Sequence, residues 1–84
     1  MKFIYFIKKY TFGEEPEILV SFEEKEKAIE WLKEKYEEFS ETKKYALLDE
    51  YALFGEPENG VFVAVHKEFA TATKYEINAV KIRL

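Results

Sequence analysis

One stretch constrains this chain more than any other. Residues 21–39, SFEEKEKAIEWLKEKYEEF, form the only run with the length and periodicity of an α-helix. Ser21 followed three residues later by Glu24 has the spacing of a capping box, which predicts a helix start at Ser21. Glu23 and Glu24 add negative charge near the positive end of the helix dipole. No Gly or Pro interrupts the interior. At about 100° per residue, Ala28, Ile29, Leu32, Tyr36 and Phe39 fall on one stripe. That stripe is expected to bury against a sheet.

The opposite side of the helix is acidic. Glu23, Glu26, Glu30, Glu34, Glu37 and Glu41 gather there, with Glu38 beside them and only Lys27 interrupting. Glu26, Glu30 and Glu34 follow one another at i,i+4, a spacing at which like charges repel. Lys25, Lys33 and Lys35 lie toward the flanks, where their stems can cover apolar surface. Trp31 sits between the apolar stripe and the acidic side. Two readings stand. In the plainer one the acids are a solvated face and Trp31 packs at the core edge. In the sharper one Glu26, Glu30, Glu34, Glu37 and Glu38 form a docking row with Trp31 as its aromatic anchor.

An 84-residue chain with 48% hydrophobic and 18% aromatic residues can build a core of its own, so residues 1–84 are expected to be one small α+β domain. With no cysteine, disulfides, thiol catalysis and thiolate metal sites are excluded. The opening MKFIYFIKKY has neither the apolar core nor the cleavage site of a signal peptide, and no run approaches the roughly 20 apolar residues of a membrane helix. A cytoplasmic protein with no membrane partner is the expectation. Charge is uneven: residues 1–13 carry +3, residues 14–41 carry −7 and residues 42–84 are balanced, for a net −4. That argues against direct nucleic-acid binding, which wants a basic footprint, and favours a protein partner with a basic surface.

Residues 2–12 read as a strand with Phe3, Tyr5 and Ile7 on one face and Ile4, Phe6 and Tyr10 on the other. A turn at 13–16 and a second strand at 17–20 complete a hairpin leading into the helix. After a polar connection at 40–43, residues 44–54 (KYALLDEYALF) fit either a helix or a strand, with Asp49 and Glu50 breaking both strand faces; the Tyr content and the following turn favour the strand. Asn59-Gly60 before VFVAV signals a hairpin into a strand over 61–65. Residues 67–73 read as a helical turn or an irregular crossing, and residues 75–84 as a last strand. The expected order is β-β-α-β-β-β, an antiparallel sheet with one helix packed across one face. Tyr10–Glu17 and Tyr51–Glu58 share a Gly-Glu-Pro-Glu-like turn, read as two similar turns rather than a duplication.

Little points to chemistry. His66 is the lone histidine and has no Cys, Ser or Asp motif beside it; all three glycines lie in expected turns, and no phosphate-binding fingerprint exists. No catalytic, cofactor-binding or metal-binding residues are expected. The aromatic residues lack the basic groove that single-strand binders use.

The run ILVSFEEKEKAIEWL, preceded by an aromatic first strand and a Gly-Glu turn, resembles a group of small uncharacterised phage and bacterial proteins built as hairpin, helix and Tyr-rich return strand. The resemblance covers roughly residues 1–54 and implies a phage or prophage accessory protein. The expected function is a non-catalytic protein-binding module, a phage-encoded inhibitor of a host defence or nucleic-acid-handling protein whose acidic helix face acts as a partial nucleic-acid mimic. The alternative is a small oligomerising domain, a homodimer through a sheet face that one helix cannot cover.

Overall fold

The computed structural model describes residues 2–45 and 51–82. Their order is β1 (Lys2–Thr11), β2 (Glu17–Phe22), α1 (Lys25–Tyr45), β3 (Tyr51–Glu56), a single 3-10 turn (Pro57–Asn59), β4 (Val61–His66) and β5 (Ala72–Ile82). All five strands belong to one antiparallel sheet in the order β2-β1-β5-β4-β3. The α+β class and the β-β-α-β-β-β order are those expected from the sequence.

Alternation decides which side chains meet the helix, because successive strand residues point to opposite faces. Across the sheet the register sets Val20 beside Ile7, Ile7 beside Ile77, Tyr75 beside Phe62, and Leu53 beside Ala64. These residues form or pack on the core, and α1 lays Ala28 and Leu32 onto them. Ile7, Ala28, Leu32 and Phe62 are fully buried. Above Phe62 the helix adds two rings at steep angles: Tyr36 at 5.5 Å and Phe39 at 6.2 Å. Edge-to-face aromatic pairs of this kind contribute beyond their buried area.

A bulge in β2 completes the core at one edge. Ile7 pairs with Val20, but Lys8 pairs with Ile18, so Leu19 is the extra residue. The bulge lets Val20 reach the core while Ile18, two positions away, stays exposed.

Two expected boundaries are corrected. Ser21 does not cap the helix. Ser21 and Phe22 continue β2 opposite Phe6 and Tyr5, and α1 begins at Lys25. The first helical bond runs from the Ala28 N–H to the Glu24 carbonyl. Phe22 packs against the core, so its burial outweighs the local capping preference. At the other end the helix runs through the expected polar connection at 40–43 to Tyr45, so Lys44 and Tyr45 are helical, and the described strand residues are Tyr51–Glu56. Asp49 and Glu50 lie outside the described residues. Residues 67–69 form a turn, Ala70 takes a positive φ of 53°, and β5 starts at Ala72.

Candidate interaction surface

The helix turns its acids directly away from the sheet. Ala28, Leu32 and Phe39 mark the buried direction, and at about 100° per residue Glu26, Glu30, Glu34 and Glu37 centre on the opposite one. All four are exposed, as is Glu38.

Neighbouring acids differ in one respect. Glu23 accepts from Lys2 Nζ at 2.9 Å, Glu24 pairs with Lys27 at 3.8 Å, Glu38 with Lys35 at 3.2 Å, and Glu58 with Lys33 at 3.4 Å. Glu26, Glu30, Glu34 and Glu37 make no ion pair among the described residues. The helix cations are thus drawn to the flanks, and the outermost row keeps its charge uncompensated. Glu38, placed in the row by sequence, belongs with the flank acids that have partners.

Trp31 stands where the sequence places it, at the border between the two sides. It is half-buried, with its indole 6.2 Å from the Tyr75 ring, and it packs against the core. It also helps line a shallow hollow of about 220 Å³ with Phe22, Lys27, Glu30 and Glu34. Two rings therefore meet two uncompensated carboxylates in one depression. Phe22 is the residue that sequence reasoning missed. Read as a helix-start residue it had no role; as the last residue of β2 it helps line this hollow.

A larger cleft of about 460 Å³ opens between α1 and the turn after β3, lined by Lys33, Tyr36, Glu37, Gly55, Glu56, Pro57 and Glu58. Its one cation is engaged by Glu58. Among the described residues no group of three or more His, Cys, Asp or Glu side chains is placed to hold a metal ion. His66 lies at the end of β4, its ring 5.0 Å from Tyr51 and 4.8 Å from Phe69. Its Nδ1 accepts from the Phe69 N–H at 3.3 Å, which ties it to the β4–β5 turn. No described helix is long and apolar enough to cross a membrane.

No protein-family model, curated protein or solved structure matches this chain.

Proposed function

We propose that this chain is a non-catalytic protein-binding module that docks a basic surface of a partner protein along the outer face of α1. The observation that carries the reading is the hollow lined by Phe22, Lys27, Glu30, Trp31 and Glu34, whose own cation, Lys27, is turned to Glu24. An arginine or lysine of the partner fits it in both halves of its chemistry. The aliphatic stem lies on the rings and the cation sits against the carboxylates, with a cation–π contribution from the indole. Glu26 and Glu37 extend the negative row on either side.

A row of carboxylates at successive i,i+4 positions repeats about every 6 Å along the helix axis, a regular line of negative charge of the kind a nucleic-acid strand also presents. A nucleic-acid-handling protein is therefore the partner class that fits best. If the resemblance of residues 1–54 to small phage and bacterial proteins reflects origin, the partner is a protein of a bacterial host, which this chain would inhibit by occupying its basic surface.

The test is capture from bacterial lysate with the unaltered chain and with Glu30→Lys/Glu34→Lys, followed by calorimetry on any captured protein. Binding that is lost in the double variant and weakens with salt supports the reading. A captured protein bound with unchanged affinity by the double variant removes it, as does capture that Trp31→Ala leaves intact.

A further inference from the structure

The second face of the sheet points to a different partner. Alternation places Ile4, Phe6, Val63, Val65, Phe54 and Val80 on the side away from α1, and the register sets Ile4 beside Val80 and Phe54 beside Val63. Phe54 is 58% and Val80 48% exposed. Among the described residues no helix or second sheet lies over this face. We infer that it is covered by the same face of a second copy of this chain, giving a two-fold symmetric dimer with two sheets inside and two helices outside.

Two observations select a second copy. The first is charge. A symmetric contact brings each surface against itself, so it must tolerate its own electrostatics. The acidic row of α1 cannot do so. On the central strands the open face carries Lys2, Lys8, Lys74 and Glu76. Lys74 pairs with Glu76 at 3.7 Å and lies 4.5 Å from the centre of the Tyr10 ring, and Lys2 pairs with Glu23 at 2.9 Å, so three of the four charges are already engaged within the chain. This is a nearly balanced surface on a chain of net charge −4. The second is size. Five strands about 4.8 Å apart and about eight residues long span roughly 600 Å² in projection, before side-chain relief is counted. A specific interface uses about 800 Å² per partner.

The experiment is sedimentation equilibrium on the full chain and two variants. Phe54→Lys/Val80→Lys charges the open face. Phe12→Lys, in the β1–β2 turn at 88% exposure, alters an apolar residue that belongs to no strand. We expect the unaltered chain and Phe12→Lys to run at twice the chain mass with little salt dependence. Phe54→Lys/Val80→Lys should raise the dissociation constant at least about a hundredfold, the effect of about 2.7 kcal/mol. Circular dichroism reports folding, and if that double variant unfolds, the single Val80→Lys change is measured in its place. A monomeric unaltered chain overturns the inference, whether the face is then bare or covered by another protein. So does a dimer that survives the charged face or one dispersed by Phe12→Lys. None of these outcomes bears on the acidic face of α1.

Discussion

The Phe62 ring stacks on the Tyr75 ring, 5.1 Å away and tilted by only 22°, across the β4–β5 ladder. The contact joins neighbouring strands, and Tyr36 and Phe39 of α1 both reach the Phe62 ring. Phe62→Ala should therefore cost about 3–5 kcal/mol, the range for deleting a buried aromatic ring. A domain of this size has about 5–15 kcal/mol in all. The urea midpoint should fall by about 2 M or more. A shift of a few tenths would mean that the core closes around the missing ring.

Tyr75 predicts the alkaline limit of the fold. Burial, at 4% exposure, raises its phenol above the ordinary 10.0, and the negative charge of Glu38 and the Tyr51 phenol push in the same direction. The folded state thus holds this proton more tightly than the unfolded chain does. Its contribution is fully present below pH 10 and is lost as pH rises through the folded value. Stability should decline above pH 10, less steeply in Tyr75→Phe. Urea titrations at several alkaline pH values measure it, and parallel declines in the two proteins would exclude Tyr75 as the cause.

Gly55 occupies a position where any side chain would be strained. Its φ is 87°, and a Cβ there would stand 3.0 Å from the Val61 carbonyl oxygen and 3.2 Å from the Phe62 Cα. Both obstacles are backbone of the partner strand and cannot rotate away. Gly55→Ala should cost about 1–3 kcal/mol from the backbone conformation alone, with the clash in addition. Thermal melting should show a drop of at least about 4–8 °C. Gly13 also has a positive φ but nothing within 4 Å, so Gly13→Ala should lose only the conformational part.

The uncompensated helix acids should be a burden on the isolated fold. Glu30 has like charges at i−4 and i+4, Glu26 and Glu34, and no ion-pair partner among the described residues. Glu30→Gln should stabilise the protein by about 0.4–1 kcal/mol at low salt, at about 0.2–0.5 per pair. The gain should fade in 1 M salt, where screening acts over about 3 Å. Melting at the two salt concentrations checks this. A destabilised variant would show that Glu30 contributes to the fold.

The sheet was legible because its signals are redundant. Tyr5 and Ile7 fall on the core side and Ile4 and Phe6 on the other, as the alternation of an apolar strand requires. The helix ends were not. Ser21 and Glu24 satisfy a capping rule, yet Phe22 gains more by packing with the sheet than Ser21 gains by capping. The bulge at Leu19 leaves no mark that a six-residue strand could show in advance. For the same reason the hollow beside Trp31 was half visible: its acids follow from helical periodicity, but its Phe22 wall depends on where the strand stops.

The β1–β5 ladder runs unbroken from Lys2 opposite Ile82 to Thr11 opposite Thr73. The middle of the sheet thus joins segments some sixty to eighty positions apart, a pairing that carries the full loop-closure entropy before any contact repays it. During synthesis the ribosome would release β1, its hairpin partner and α1 long before the strand that completes them. Until β5 emerges, Ile7 and Leu32 have no finished core to enter, and the nascent chain must keep an aromatic-rich hairpin soluble. The negative charge concentrated in residues 14–41 is already present at that stage, when repulsion between unfinished chains would do the most good.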